Sequence, residues 1–196
     1  MNQAIDLQAQ KTLFTEARTH MAWQDKAIEK ETLEAVYELA KWGPTSVNCL
    51  PMRLVFLHSE AAQQRIKPFI AEGNIEKAMS APVIAIIAMD TQFYEHLPTL
   101  FPVMDVQPMF IDNPALTDST AMRNSSLQGG YLIMAARALG LDCGPMSGFD
   151  ADGVDQEFFP DGRFKTNFLM NIGYGDSERL YPRGPRLSYE EAVSVL

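Results

Sequence analysis

Residues 119–150 read STAMRNSSLQGGYLIMAARALGLDCGPMSGFD, which sets a long helix, a short strand and a glycine-rich turn in immediate succession. The helix is predicted to begin at Ser119 or Thr120, because both residue types cap helix N-termini well. It runs to Leu139, and Gly140 fits the C′ position, where the backbone turns left-handed. A helix of this length spans about 30 Å. It is long enough to cross a domain, so we expect it at the centre of the fold.

The same stretch contains features that favour close approach by other groups. The helix carries small residues that let another helix or a flat ligand come near: Gly129, Gly130, Ala135, Ala136 and Ala138. A strand is predicted near 141–145, and the turn over 144–150 has glycines on both sides of Ser147. Because glycine lacks a Cβ, the backbone N–H groups of such a turn can approach a ring or an anion. A tight turn that binds nothing explains the same residues.

The rest of the chain alternates between helices and short strands. A helix is predicted over 31–42, with an apolar face formed by Leu33, Val36, Tyr37 and Ala40. Gly43-Pro44 ends that helix. Strands are predicted over 53–58, 82–89 and 167–174, the first two as buried strands bounded by breakers. No repeat or polar linker divides the sequence, so we expect residues 1–196 to form a single domain, an α+β sandwich.

Composition argues against several classes of partner. The chain has 196 residues with 16 Lys and Arg against 25 Asp and Glu, a net charge of −9. An acidic chain without a run of basic residues is a poor ligand for phosphate backbones, so we expect no nucleic-acid binding. The longest apolar stretch, Ala81 to Met89, is far shorter than the roughly 20 residues that a membrane-spanning helix needs. We therefore expect no membrane span.

Cysteine and histidine usage indicates the compartment and argues against a metal site. Cys49 and Cys143 are too few for a disulfide framework and suit a reducing compartment. Residues 1–11 lack the charged-then-apolar order of a secretion signal, so a cytoplasmic location is expected. The three histidines are isolated from one another and from the cysteines: His20, His58 and His96. This spacing gives no metal-ligand pattern, and we predict no metal.

Common catalytic motifs are missing from the sequence. It has no Gly-x-Ser-x-Gly elbow, Walker loop, His-Glu-x-x-His or Cys-x-x-Cys, so hydrolase and nucleotidase functions lose their usual support. It also has no Gly-x-Gly-x-x-Gly between a strand and a helix, so a Rossmann nicotinamide site is unsupported.

Two further polar segments could bind a ligand. Residues 43–51 contain Thr45, Ser46 and Asn48, whose short side chains suit hydroxyl groups, phosphate oxygens or amide edges. Residues 173–187 contain Arg183 and Arg186, a cationic pair suited to a phosphate. The alternatives are a helix stop with a turn for the first segment, and two solvated arginines for the second.

These segments, in this order, resemble the flavin-dependent nitroreductase family. The family loop Pro-Ser-Ser-x-Asn-x-Gln-Pro stands here as Pro-Thr-Ser-Val-Asn-Cys-Leu-Pro at 44–51, and its later turn Pro-x-x-Gly-Phe-Asp stands at 145–150. Within the family, the chain is most similar to the malonic semialdehyde reductase branch (the RutE type). The stretches that carry this similarity are 41–46, 123–126, 138–142, 144–150 and 171–177.

The resemblance implies a nitroreductase-like sandwich, with a central, mainly antiparallel sheet flanked by helices, and an intertwined homodimer that holds FMN at its subunit interface. The implied phosphate contacts are Arg18, Thr19, His20, Arg183 and Arg186. Asn74 and Lys77 would meet the pyrimidine edge of the ring, and the N–H groups of Ser147 and Gly148 would point toward N5 and O4.

The remaining implied cofactor contacts are Pro145 and Met146 in the later turn, and Thr45, Ser46 and Asn48, of which Ser46 and Asn48 would come from the partner subunit. Some residues depart from the family pattern. Met21 and Ala22 replace basic residues of the N-terminal motif, and Leu50 replaces the loop glutamine. Ser147 stands where the family commonly has Glu, a residue that acts through its backbone.

The implied activity is reduction by NADH or NADPH through flavin N5, with ping-pong kinetics. The branch implies reduction of malonic semialdehyde to 3-hydroxypropionate in pyrimidine (uracil) degradation. We identify Arg123 as the candidate contact for the substrate carboxylate; a solvated or ion-paired arginine is the alternative. Two other functions stay open: a general nitroreductase or quinone reductase with the same FMN site, and a non-catalytic flavin-binding protein.

Overall fold

The computed structural model describes residues 3–196, which form a four-stranded sheet with helices on both of its faces. The strands are β1 (Met52–Leu57), β2 (Val83–Asp90), β3 (Asp142–Met146) and β4 (Phe164–Gly173). The α-helices are α1 (Leu7–Gln10), α2 (Lys30–Ala40), α3 (Glu60–Ile66), α4 (Glu72–Met79), α5 (Leu97–Leu100), α6 (Gln107–Ile111), α7 (Pro114–Ala138), α8 (Ala151–Phe158) and α9 (Tyr189–Ala192). Short 3₁₀ helices cover Ser46–Asn48, Lys67–Phe69, Phe93–His96 and Ser177–Arg179, and a π-helical turn covers Lys11–Thr15.

All neighbouring strands of the sheet are antiparallel, in the order β1-β2-β4-β3. The register between β2 and β4 shifts after Ile87, so that Ile87 pairs with Phe168 and Ala88 with Thr166. This bulge leaves Asn167 without a partner on β2, and its side chain amide donates instead to the hydroxyl groups of Ser125 and Ser126 on α7. The irregularity therefore ties the sheet to the longest helix.

Both faces of β2 are buried, which explains its uninterrupted apolar sequence. Alternate side chains belong to different core clusters, with Ile87 in one and Ile86 in the other. The first cluster packs the sheet against α2 and α7, and the second packs it against α3, α4 and α8. The predicted α+β sandwich with an antiparallel central sheet is confirmed. Among residues 3–196, no helix is both long and apolar enough to cross a membrane.

The predicted start of the long helix is wrong by five or more residues. Helix α7 begins at Pro114, and the side chain of Asn113 caps it by accepting a hydrogen bond from the N–H of Leu116. Proline suits the first turn of a helix because its missing N–H has no partner there. The predicted end is confirmed: Leu139 is the C-cap, and Gly140 follows with a positive φ of 77°. Helix α7 is therefore about 38 Å long.

The other predicted elements lie within one to three residues of their observed bounds. The helix predicted over 31–42 is α2, and its Leu33, Val36 and Ala40 are buried. Tyr37, predicted on the same face, is 45% exposed, so its inclusion in that buried face is wrong. The strand predicted over 167–174 begins three residues earlier, at Phe164. Helices α3 to α6 and α8 had no sequence prediction.

Candidate functional site

Four of the predicted phosphate-binding residues, Arg18, Thr19, Arg183 and Arg186, line one cavity of about 290 Å³. The other lining residues are Phe14, Ala17, Arg137 and Gly184, and we call the cavity the arginine pocket. Among residues 3–196, no carboxylate lines it. Four guanidinium groups without a counter-charge suit a phosphate, which accepts bidentate charge-assisted hydrogen bonds. In a chain of net charge −9, this is a local concentration of positive charge.

The arginine pocket joins the two ends of the chain. Arg18 donates a hydrogen bond to the carbonyl oxygen of Tyr181, and Arg183 donates to the carbonyl oxygen of Ala17 at 3.1 Å. Thr19 pairs with Cys143 in an isolated bridge, which fixes this segment beside β3. The N-terminal and C-terminal segments thus hold each other through the same side chains that line the pocket.

The turn after β3 is fixed to the start of α4. The side chain amide of Asn74 donates to the carbonyl oxygen of Gly148 at 2.9 Å, and the N–H of Ala71 donates to the same oxygen at 3.1 Å. A Cβ on Gly148 would lie 2.4 Å from the Asn74 amide nitrogen. Only glycine fits this approach, so Asn74 and Gly148, two predicted ring contacts, lie in direct contact. The neighbouring Ser147 is exposed.

Lys77, on α4, lines a second cavity of about 460 Å³ together with Met21, Ala22 and Tyr181. Its carbonyl oxygen accepts hydrogen bonds from the Trp23 indole at 3.1 Å and from the Asn171 amide at 3.0 Å. The cavity also contacts Gly73, Glu76, Glu178, Arg179 and Leu180. Met21 and Ala22, the two departures from the family's basic motif, therefore lie beside Lys77.

The loop that contains Thr45, Ser46 and Asn48 has an unusual backbone. Val47, Asn48 and Leu50 have positive φ angles of 47°, 51° and 39°. Non-glycine residues rarely adopt this left-handed region, and such strain clusters at functional sites. The surrounding structure holds it in place, since the Thr45 hydroxyl accepts a hydrogen bond from the N–H of Leu50 at 3.2 Å.

Buried polar side chains of helix α7 form hydrogen bonds with this segment of the chain. The Asn124 side chain oxygen accepts from the N–H of Ser46 at 2.9 Å, and Gln128 accepts from the N–H of Met52 at 2.9 Å. The side chain of Asn48 donates to the carbonyl oxygen of Leu100. None of the loop's hydrogen bonds recorded among residues 3–196 reaches the arginine pocket or Gly148.

Arg123 is exposed on the outer side of α7 and forms no ion pair within residues 3–196. It borders an open hollow of about 600 Å³ whose other lining residues are Ser126, Leu127, Gly130, Tyr131 and Met134. We call this hollow and its lining the α7 hollow. Its surface is almost entirely apolar. Arg123 is thus the single cation among the residues that line the apolar α7 hollow.

His20 lies beneath the arginine pocket rather than in its lining. Its Nε2 is 3.4 Å from a carboxylate oxygen of Asp142, and its Nδ1 finds no hydrogen-bond partner within the described residues 3–196. The ring packs so closely on Gly175 that a Cβ there would lie 2.0 Å from Nδ1. Its predicted role in cofactor binding stays a prediction. Among residues 3–196, no three His, Cys, Asp or Glu side chains are grouped as metal ligands.

Sequence reasoning missed two sets of residues. Arg137 lines the arginine pocket from the last turn of α7, although it lies far in sequence from both Arg18 and Arg183. Thr120, Asn124 and Gln128 are buried at a spacing of four residues. This four-residue spacing places the three polar side chains on one face of the helix, and it was a sequence signal for a supporting role, because buried polar groups need hydrogen-bond partners.

Comparison with known proteins identifies the family. The model of the nitroreductase family matches residues 15–174, most of the chain. This range contains α2 to α8 and the whole sheet, together with the loop at 45–48 and the turn at 147–148. The chain belongs to the nitroreductase family.

Solved structures share the whole architecture. A candidate nitroreductase from Exiguobacterium sibiricum, crystallised in complex with FMN, superposes with a TM-score of 0.85 at 20% identity, covering 100% of this chain and 99% of that one. A candidate NAD(P)H:FMN oxidoreductase from Staphylococcus epidermidis gives a TM-score of 0.84 at 20% identity, with coverages of 100% and 98%. The enone reductase CLA-ER of gut-bacterial fatty acid saturation gives 0.84 at 19% identity, with coverages of 98% and 100%. At these identities the likeness is one of fold.

Proposed function

We propose that this protein is an FMN-dependent NAD(P)H oxidoreductase that acts as a malonic semialdehyde reductase, forming 3-hydroxypropionate in pyrimidine degradation. The observation that carries the flavin part is the arginine pocket, in which both ends of the chain supply guanidinium groups. The family and the FMN complex of the Exiguobacterium structure support the same cofactor. A cytoplasmic location fits two buried, unpaired thiols.

The residues present fit FMN in chemical type. The arginine pocket would hold the phosphate, and the exposed turn at Ser147, fixed by the contact between Gly148 and Asn74, would present its backbone N–H groups to a flat ring. Lys77 places a cation beside its cavity. This positive charge would stabilise the form of the bound cofactor that carries more negative charge. When bound, FMN would supply hydride chemistry, accepting a hydride from NAD(P)H and delivering it to an oxidised substrate.

We propose further that the protein is a homodimer whose FMN sites combine residues from both subunits. Ser46 and Asn48 are exposed; within the described chain the N–H of Ser46 donates to Asn124 on α7, and the side chain of Asn48 donates to Leu100. The apolar α7 hollow offers a surface for a second copy. A partner's loop could then complete the site that Asn74 and Gly148 begin.

The substrate assignment depends on Arg123. A small semialdehyde acid has little apolar surface, so its carboxylate needs a cation to orient it, and orientation is a large part of the rate. Arg123 has no carboxylate partner within residues 3–196, and it lies beside a recess. A general nitroreductase or quinone reductase is the second candidate, which the apolar lining of the same hollow favours.

A comparison of substrates tests these proposals. The purified protein, reconstituted with FMN, should show flavin absorbance bands and should reduce malonic semialdehyde faster than a nitroaromatic or a quinone, with NADH or NADPH as reductant. Parallel lines in double-reciprocal plots would indicate that one site serves both substrates in turn. A colourless protein whose Tm is unchanged by FMN contradicts the cofactor proposal, because a ligand of the native state must stabilise it. Flavin binding without any turnover would make the protein a non-catalytic binder.

The Arg123→Gln variant tests the carboxylate contact. We expect kcat/KM for malonic semialdehyde to fall about tenfold or more, equivalent to about 1.4 kcal/mol of transition-state stabilisation. An uncharged quinone should be reduced nearly as before, and Arg123→Lys should retain part of the activity. The matched control is Arg65→Gln, an exposed arginine that pairs with Glu157 on the surface. Equal loss with both substrates would make Arg123 structural, and no loss would favour the general reductase.

A further inference from the structure

Arg137 enters the arginine pocket from a different direction than the other three arginines. Arg18 comes from the N-terminal segment, and Arg183 and Arg186 come from the C-terminal segment. Arg137 lies in the last turn of α7, the helix that spans the core. Its backbone is thus anchored in regular structure, unlike the other three, which lie in irregular segments.

The hydrogen bonds of Arg137 leave most of its guanidinium group available. Its Nη1 donates to the carbonyl oxygen of Leu13 at 2.9 Å, and this is the only hydrogen bond recorded for its side chain among residues 3–196. Its side chain forms no ion pair with any of those residues. It is only partly exposed, so its side chain is confined near the pocket.

The other three arginines are held in the same way. Arg18 donates to Tyr181, Arg183 donates to Ala17, and Arg186 donates to Gly184 and Pro185, in every case to a backbone carbonyl oxygen. Such bonds orient a guanidinium group without neutralising it, because a carbonyl carries no net charge. All four side chains therefore remain cationic and pre-positioned around one cavity.

A simpler explanation for Arg137 is its position at the end of α7. The hydrogen bonds around Arg137 do not favour that explanation. Cations are common in the last turn of a helix, where they interact with the free carbonyl groups and the helix dipole. Arg137 instead donates to Leu13, at the opposite end of the sequence. Three carbonyl oxygens at the end of α7, those of Ala135, Ala136 and Arg137, accept instead from the N–H groups of Leu139, Gly140 and Leu141.

We propose that Arg137 is the fourth arginine ligand of the phosphate group in the arginine pocket, and that its bond to Leu13 positions the N-terminal segment for the same phosphate. This inference rests on the proposed FMN site. A phosphate monoester carries about −1.5 to −2 charges and three acceptor oxygens. Arg137 adds one cation anchored in the core to the three cations from the chain ends. Together they make the pocket selective for FMN over riboflavin, its dephosphorylated form.

A comparison of FMN with riboflavin tests this role, because the two ligands differ only in the phosphate. Dissociation constants are measured by flavin fluorescence quenching for the wild type, Arg137→Gln and Arg137→Lys, with Arg65→Gln as the control. We expect Arg137→Gln to weaken FMN binding at least tenfold, in line with the loss of a charge-assisted hydrogen bond. Riboflavin binding should stay within twofold of wild type, and Arg137→Lys should recover part of the FMN affinity.

The outcomes separate a phosphate contact from a purely structural role. If FMN and riboflavin weaken together, Arg137 acts only through the fold of the N-terminal segment, and the proposal is overturned. Unchanged FMN binding overturns it as well. If the wild type binds neither flavin, the proposed function fails, and inorganic phosphate then tests the pocket alone. Phosphate at matched ionic strength should raise the Tm of the wild type more than that of Arg137→Gln; equal rises would overturn the proposal.

Discussion

At the scale of single residues, burial makes both cysteines chemically inert. Cys49 and Cys143 are 0% and 1% exposed. Desolvation disfavours the thiolate, and it raises the pKa of Cys49 to about 11 and that of Cys143 to about 12, from an ordinary value of 9.0. Since the thiolate is the nucleophile, neither residue should react at neutral pH.

We expect a chromogenic disulfide reagent at pH 8 to modify less than one thiol per native chain, and two after unfolding in guanidinium chloride. The raised pKa values also imply a pH dependence. Below pH 9 the thiols are protonated in both states, whereas above pH 9 the unfolded chain releases protons that the folded chain retains. The free energy of unfolding should therefore fall as pH rises from 9 toward 11 and 12, by up to about 1.4 kcal/mol per pH unit for each thiol.

Comparison of the parent with a double Cys→Ala variant isolates this effect from other groups that titrate at high pH. The slope of stability against pH above 9 should be shallower in the variant. Rapid modification of a thiol in the native protein, or identical slopes for the two proteins, would contradict the assignment of both thiols to the core.

The candidate site could be predicted in part at this scale. The family resemblance implied Arg18, Thr19, Arg183 and Arg186 as phosphate contacts, and these four residues line one pocket. Arg137 could not be found in this way, since its contribution depends on where a long helix ends relative to the N-terminal segment. The position of the helix end relative to the N-terminal segment depends on the packed fold, and no local sequence pattern encodes it.

At the scale of secondary-structure elements, two adjacent glycines on α7 give opposite predictions. A Cβ on Gly129 would lie 2.5 Å from the Phe168 ring of β4, whereas a Cβ on Gly130 would meet no atom of residues 3–196 within 4 Å. Gly129→Ala should lower the free energy of unfolding by roughly 1–3 kcal/mol, since it overpacks the helix against the sheet. Gly130→Ala should raise it by up to about 1 kcal/mol, because alanine is the better helix former.

Urea unfolding at equal protein concentration, followed by circular dichroism, measures both changes. Each variant is the control for the other, since the two substitutions are identical in chemistry and adjacent in sequence. Equal effects of the two substitutions would mean that α7 does not approach β4 as closely at Gly129 as described.

The elements themselves were predictable to different degrees, for physical reasons. Strand β2 was placed to within one residue, because a run of apolar side chains buried on both faces stands out in the sequence. The start of α7 was missed because Thr117 and Thr120 interrupt the apolar pattern. The Thr117 hydroxyl donates to the carbonyl oxygen of Phe110 at 2.7 Å, so this polar side chain is satisfied inside the core. The strand order β1-β2-β4-β3 arises from long-range pairing and had no sequence signal.

At the scale of the whole molecule, the outer side of α7 and the C-terminal segment leave apolar side chains in solvent. Leu127 and Tyr131 are 49% and 43% exposed around the α7 hollow. Beyond residue 180, large apolar side chains are exposed as well: Tyr181, Leu187, Tyr189, Val193, Val195 and Leu196. Exposed apolar surface in such quantity is typical of an interaction site. It supports the proposed homodimer.

Light scattering at micromolar concentration should therefore return about 44 kDa for the wild type, twice the chain mass of 21.9 kDa. Leu127→Glu should shift the mass toward the monomer, because it would bury a carboxylate in an apolar part of the subunit interface, where desolvation of the charge costs more than pairing with the neighbouring Arg123 returns. Gln64→Glu, on the exposed side of α3 in the opposite helical layer, adds the same charge and should stay dimeric. If the FMN site combines Ser46 and Asn48 of one subunit with Asn74 and Gly148 of the other, the monomeric variant must also bind FMN more weakly than Gln64→Glu. A folded Leu127→Glu monomer that binds FMN with wild-type affinity would refute the shared site, and a wild type of about 22 kDa would refute the dimer itself.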